Sequence, residues 1–269
     1  MDEILNVNEL LKQHYEAYDE ESRLLSKPGQ VEYITTQKYI HACADKINAK
    51  RIFEIGAGTG RYSVPLSKEG FDVTAVELVE HNLEILRQKL DGSETITVLQ
   101  GNALDLSFLP DESFDLTMLL GPMYHLYKKE DKLRALSEAV RVTKPSGYIL
   151  AAYCMNEPVV IQYLFGSNHL CEVTQRDMLT SGWHWRHEPK DLFEFVRTED
   201  IAALDAEIPV KRIKLIATDG ATNYMSEFID SMDEETFLKW VEYHLATCER
   251  QDLIGASHHV LDILRKNEL

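Results

Sequence analysis

The run Ile52-Phe53-Glu54-Ile55-Gly56-Ala57-Gly58-Thr59-Gly60-Arg61 concentrates the residue types most able to hold a ligand. Gly56, Gly58 and Gly60 stand where an apolar strand pattern gives way to a helical one. Glycine there lets the backbone turn tightly and lets a ligand reach main-chain amides with no Cβ in between. Glu54 lies inside the apolar run, where an ionised carboxylate is costly unless it is paired or hydrogen-bonded. A bound ammonium group, reached directly or through water, would satisfy it. Glu77 closes the next apolar run, 21 residues after Gly56. From that position an acid accepts hydrogen bonds from two ribose hydroxyls across the crevice. Together these residues describe a ligand with a ribose and a cationic amino group, and no pyrophosphate is needed. The spacing is GxGxG, with Arg61 where the dinucleotide fingerprint has Gly or Ala. That departure weighs against a nicotinamide-dependent oxidoreductase.

The elements that must position these groups follow from the alternation between residues 50 and 154. Strand-like runs occupy Arg51–Gly56, Asp72–Val79, Thr95–Gly101, Phe114–Gly121 and Gly147–Cys154. Between them, Leu83, Leu86 and Leu90 recur at helical spacing, as do Leu133, Leu136 and Val140. Strands alternating with helices imply βαβ units and a mostly parallel sheet covered on both faces. Pro145-Ser146-Gly147 is expected to stop the helix ahead of the fifth strand. Residues 1–45 read as helical, with Leu10, Leu11, Tyr15 and Tyr18 on one face and a break at Lys27-Pro28-Gly29. Residues 155–195 carry no clean period. A short helix is expected over Thr198–Asp205, a strand over Pro209–Thr218, a helical pair around Tyr224–Cys248 and a final strand over His259–Leu264.

EIGAGTGR, followed by VEL and by GNA after the third strand, resembles the class I S-adenosylmethionine-dependent methyltransferases. The later block FDLTMLLGPMYHL…LSEAVRVTKPSGYIL is similar to the same superfamily, and the resemblance covers residues 50–154 well. It implies a doubly wound, mostly parallel seven-stranded sheet with a helical N-terminal lid and insertions after strand 5 and before the last strand. One methyltransferase domain is then expected: a lid over 1–45, a cofactor-binding core over 46–154, an acceptor-side insertion over 155–195 and sheet completion over 196–269. By the same resemblance Gly56, Ala57, Gly58 and Gly60 pass beneath the methionine part of S-adenosyl-L-methionine, with Glu54 near its ammonium. Glu77 holds the ribose, Leu78 packs on the adenine, Asn102 and Ala103 lie at the adenine edge, and Leu120 and Gly121 line the floor near the sulfonium. Many relatives carry Asp where this chain has Asn102, so the adenine amine meets either the amide oxygen of Asn102 or Asp105.

Tyr124 and His125, just past the fourth strand, are the candidates nearest the reacting centre. His125 has an intrinsic pKa suited to a base near neutrality; packing and pocket closure are the competing role for both. Trp183-His184-Trp185-Arg186-His187 either shapes the acceptor pocket, with the indoles against a flat or cationic acceptor, or pins the insertion to the core. A metal held by His184, His187 and Glu188 or Cys171 has loose spacing, and none is expected. Tyr15, Tyr18, Arg23 and Tyr33 are candidates for a lid over the cofactor.

Composition sets the outer bounds. With 269 residues, 44% hydrophobic and 27% charged, the chain buries an ordinary core. A net charge of −17 argues against a nonspecific phosphate-backbone binder. The four scattered cysteines form no CxxC pair, which fits reduced thiols in the cytoplasm. The start Met1-Asp2-Glu3 lacks a signal-peptide pattern, and no run is long and apolar enough for a membrane helix. The expected partner is a small-molecule acceptor. A non-catalytic cofactor-binding protein is the alternative, and the oligomeric state is open.

Overall fold

The computed structural model describes residues 7–17, 24–186 and 192–268. Five parallel strands, β1 (Arg51–Ile55), β2 (Asp72–Glu77), β3 (Ile96–Gln100), β4 (Phe114–Leu119) and β5 (Thr143–Met155), build most of one sheet. β6 (Phe195–Val196) adds two residues beside the end of β5. β7 (Val210–Ala217) and β8 (His259–Lys266) complete it, and β8 runs antiparallel to both β5 and β7. The order is β3-β2-β1-β4-β5-β8-β7 with β6 off that path. The expected seven strands are thus present along the path, with the short eighth beside β5. Chain order reverses at β1, whose neighbours are β2 and β4. This is the switch point at which open α/β sheets bind ligands outside the carboxyl ends of the strands.

Helices cover both faces, which is why the strands read as nearly continuous apolar runs. Phe53, Ile55, Leu119, Ile149, Val260 and Leu264 share one core. Ile52, Leu116, Leu150, Leu261 and Ile263 share the opposite one with Ile40. Neighbouring residues of β8 alternate between the two, as the strand period requires. The helices are α1 (Val7–Ala17), α2 (Lys27–Ile47), α3 (Ser63–Lys68), α4 (Glu80–Gln88), α5 (Lys129–Val142), α6 (Leu170–Gln175), α7 (Thr198–Asp205), α8 (Ser226–Ser231) and α9 (Glu234–Thr247).

Two expectations shift. Lys27-Pro28-Gly29 opens α2 instead of breaking a helix: Ser26 accepts the Gly29 amide, and proline in a first turn forfeits no helical hydrogen bond. α5 ends at Val142, three residues before Pro145, because β5 already begins at Thr143. The described residues between 155 and 186 fold into a helical turn at Asn156–Val159, a π-helical stretch at Val160–Gly166, and α6. They form a small core of their own around Leu164, Val173, Met178 and Trp185.

The sheet's far edge carries a buried charge network. Arg212 on β7 donates from Nε and Nη2 to the two oxygens of Asp262 at 2.9 and 3.0 Å, and its Nη2 also lies 2.7 Å from Asp205. Asp262 sits in the middle of β8 with no exposed surface. Burial and the neighbouring Asp205 hold its carboxyl well above the ordinary range, against the opposing pull of Arg212. Removing the guanidinium leaves two buried acids facing each other. Arg212→Ala is expected to destabilise the protein by roughly 3–5 kcal/mol in urea unfolding; a loss below about 1 kcal/mol, the range of a surface pair, contradicts this account.

Candidate active site at the β1–β4 switch point

β1 leads directly into the glycine loop. Gly56 and Gly60 have φ of +74° and +80°, values that L side chains rarely adopt. A Cβ on Gly56 would lie 2.7 Å from Cδ of Pro122 in the turn after β4, and one on Gly60 would lie 2.7 Å from Leu86 of α4. The loop is therefore pressed between that turn and α4. The neighbouring strand β2 also fixes its start, since the amides of Gly56 and Ala57 both donate to the Val76 carbonyl.

Two carboxylates flank the loop. Glu54 is 1% exposed and accepts from the Ser63 hydroxyl at the start of α3. Burial pushes its carboxyl up to about 8, the Ser63 hydrogen bonds pull the other way, and the charge of Glu77 adds to the rise. Glu77, at the end of β2, accepts the Gly58 amide on Oε2 and the Val79 amide on Oε1, each at 2.8 Å. Burial raises its pKa as well, offset by those amide donors. The Leu78 amide and the Asn82 side chain favour the ionised form as well, so a ligand hydroxyl would share oxygens that already accept from the protein.

Both acids, Gly56, Ala57, Gly58, Leu78, Asn102, Ala103, Leu120 and Gly121 face one cavity of about 420 Å³, within the range of small-molecule sites; Gly60, expected there too, is not in its lining and abuts Leu86 instead. Asp105 does not line it: its carboxylate caps the Ser107 amide at 3.1 Å. Asn102 does, but its Oδ1 already accepts the Leu104 amide at 2.9 Å. Leu11 and Tyr15 of α1 close part of the opening. Tyr33 stands back from it, packed on Tyr62 at 5.2 Å between centroids and under Arg61. Tyr18 and Arg23 lie outside the described residues.

Tyr124 and His125 occupy a short 3₁₀ turn, Pro122–His125, over the same cavity. The Tyr124 hydroxyl donates to the Leu120 carbonyl at 2.9 Å. His125 Nδ1 lies 2.7 Å from the Leu192 carbonyl, which can only accept, so Nδ1 carries the proton. Nε2 is then the acceptor, and the Tyr15 hydroxyl donates to it at 2.8 Å. Burial lowers the His125 pKa to about 4, with His14 adding to the fall and the Leu192 bond opposing it. The imidazole is neutral at physiological pH, and its lone pair is engaged by Tyr15 of α1.

A second cavity of about 540 Å³ adjoins the first, and Tyr15 and Tyr124 line both. Its walls are largely aromatic, including Tyr163, Trp185, Phe193 and Phe195, with Cys154, His258 and His259 at the base. Among the described residues of the expected aromatic cluster, only Trp185 reaches it. Trp183, at φ +60° and 47% exposed, packs on Phe165 instead. His184 bonds Asp200 at 2.9 Å; Cys171 is exposed, and His187 and Glu188 lie outside the described residues. The sequence reading missed Asp219, His258 and His259. Asp219 and His259 meet through Nδ1 and Oδ2 at 2.7 Å. The only local signal was the pair of adjacent histidines at the head of β8.

Residues 53–151 match the family description of a methyltransferase domain. A demethylmenaquinone methyltransferase from Clavibacter sepedonicus is 31% identical over 144 residues, 53% of this chain and 56% of that protein. A ubiquinone biosynthesis O-methyltransferase from Alkalilimnicola ehrlichii is 21% identical over 71% of this chain and 77% of its own length. The chain thus spans about half the length of the first of these relatives. Among solved structures, the CcbJ methyltransferase from Streptomyces caelestis superposes with a TM-score of 0.60 at 14% identity, covering 97% of this chain and 98% of that one. A protein from Thermotoga maritima described as a possible histamine N-methyltransferase gives 0.56 at 20% identity, covering 98% and 100%. The matched core, residues 53–151, is thus a methyltransferase domain, and the fold around it is the one shared by the methyltransferases it is similar to.

Proposed function

We propose that the chain transfers a methyl group from S-adenosyl-L-methionine to a small-molecule acceptor. The observation that carries this is Glu54: a carboxyl with almost no exposed surface, raised by burial and by Glu77, that faces a nucleoside-sized cavity. A bound ammonium gives such a group its counter-charge. The sulfonium supplies an already activated methyl group. The remaining work falls to residues that bind, orient and exclude water. The glycine loop leaves room for the methionine part, Glu77 holds the ribose, and Leu78, Asn102 and Ala103 frame the adenine. Leu120 and Gly121 form the floor toward the second cavity, which takes the acceptor. Tyr124 stands between donor and acceptor sides, and α1 closes over both through the Tyr15–His125 bond. His125 becomes an available base only when Tyr15 gives up its lone pair.

In the domain arrangement we propose, residues 1–45 form the lid, 46–154 the cofactor core, 155–195 the acceptor side and 196–269 the sheet completion. A small acceptor is favoured over nucleic acid by the net charge of −17. A cytoplasmic location is supported by four free thiols, three of them buried. Among the described residues no helix is long and apolar enough to cross a membrane.

Two measurements test the site. With Glu54 held near 8, its carboxyl is mostly protonated between about pH 6 and 7, where a ligand α-amino group is still charged. Pairing with that ammonium favours the carboxylate, so binding of S-adenosylhomocysteine releases close to one proton, and affinity rises with pH across this window. Calorimetry in two buffers of different ionisation heat reads the proton directly. Glu54→Gln should abolish it, and buffer-independent heats in the native protein would remove Glu54 from the ammonium site. Glu77→Ala is expected to weaken the same ligand on the order of thirtyfold, the loss of charge-assisted hydrogen bonds; unchanged affinity rejects the ribose role.

A further inference from the structure

We propose that the Asp219–His259 pair is the polar anchor of the second cavity, and that it selects flat acceptors bearing an anionic oxygen, a carboxylate or ring oxide. This deepens the methyl-transfer function above and rests on it. The pair exists because β8 returns antiparallel to β5, which sets His259 opposite Cys154 at the sheet's ligand-binding end. Asp219 follows β7 and is 1% exposed. Its Oδ1 lies within 3.1 Å of the Ser257 hydroxyl and the amides of His258 and His259. Its Oδ2 accepts from Asn223 at 2.6 Å and from His259 Nδ1 at 2.7 Å. Asp219, His258 and His259 are close enough to share a cation, but these five partners already meet the carboxylate's charge. With Nδ1 committed to Asp219, Nε2 is the ring nitrogen that an acceptor would share with Cys154, whose side chain the imidazole also bonds.

The groups facing the imidazole come from several elements. Glu32 of α2 lies 3.6 Å from Nδ1, Asp219 follows β7, Cys154 ends β5, and His258 stacks edge-on at 4.6 Å. Burial works against the imidazole's charge, but Glu32, Cys154 and Asp219 outweigh it and hold the group well above its ordinary pKa. An imidazolium donates from both nitrogens and accepts from neither. Around it, the charged residues of the wall are His259 and Arg176, and among the described residues no Asp or Glu lines the cavity. That contrast stands out in a chain with 45 acids against 28 bases. The neighbouring donor cavity shows the opposite arrangement, with Glu54 and Glu77 at its heart. Tyr163, Trp185, Phe193 and Phe195 supply apolar faces for a planar ring. An acidic group seated on His259 would direct the rest of such a ring toward Tyr124, where the two cavities meet.

The test uses the full chain saturated with S-adenosylhomocysteine and three probes of one size: 4-hydroxybenzoate, 4-hydroxybenzamide and tyramine. Calorimetry at neutral pH is expected to rank the acid about tenfold or more above both others, the scale of a charge-assisted hydrogen bond. His259→Gln should bring the acid down to the level of the amide while leaving S-adenosylhomocysteine affinity unchanged. Equal binding of all three probes, preference for tyramine, no binding of the acid at millimolar concentration, or full retention of its affinity in His259→Gln overturns the anchor. The probe ranking needs only the native protein, so a variant that fails to fold leaves the decision intact. Failure of S-adenosylhomocysteine itself to bind strikes the methyl-transfer function instead.

Discussion

A carboxyl buried in the strand layer of a parallel sheet is the constraint around which this molecule is arranged. Glu54 pairs in register with Ala75 on one side and Met118 on the other, both fully buried. Ser63 alone cannot offset the desolvation of a charge in such a place. The strand cannot slip to expose the group, because a one-residue shift would invert every apolar side chain of β1. Nor can the loop beyond it relax, since Val76, Pro122 and Leu86 hold it on three sides. The fold therefore maintains a polar group under tension against its own core, and a cationic ligand is the natural complement.

Much of this was legible in the residues themselves. Glycines at alternate positions, an acid within an apolar run and another at the end of the next already describe a loop between two carboxylates. The strand runs were equally clear, because a sheet buried on both faces leaves little room for polar interruptions. Other features were not legible, each because its partner is remote in sequence. His125 owes its tautomer to a carbonyl 67 residues away and its blocked lone pair to a tyrosine 110 residues away. Asp219 and His259 are 40 positions apart and meet only because β7 and β8 pair antiparallel. Trp183 and Trp185 read alike in sequence, yet a left-handed backbone at Trp183 turns it outward while its neighbour packs inward.

The two cavities differ in electrostatic character although they share a wall. One is bordered by buried acids and backbone amides, the other by aromatic rings, an arginine and three histidines. Tyr15 and Tyr124 form the partition, and each has a hydrogen bond that fixes its ring. A buried ion pair behind the partition, Lys132 with Glu194 at 2.6 Å, holds the segment leading into β6 against α5. The Glu194 amide then donates to the Tyr124 carbonyl at 2.8 Å. A charge pair buried behind the wall thus steadies it.

The near contact of Gly56 with Pro122 has a geometric consequence. These residues follow adjacent strands, β1 and β4, and the Pro122 ring sits so close to the Gly56 backbone that no side chain fits on the glycine. The loop on one strand and the tyrosine–histidine turn on the next are therefore locked as a single rigid body. The interval separating them is inherited from the hydrogen-bonded ladder itself, about 4.8 Å from strand to strand. Backbone pairing serves here as the ruler for reactants, a gauge that no side-chain rotamer can reset.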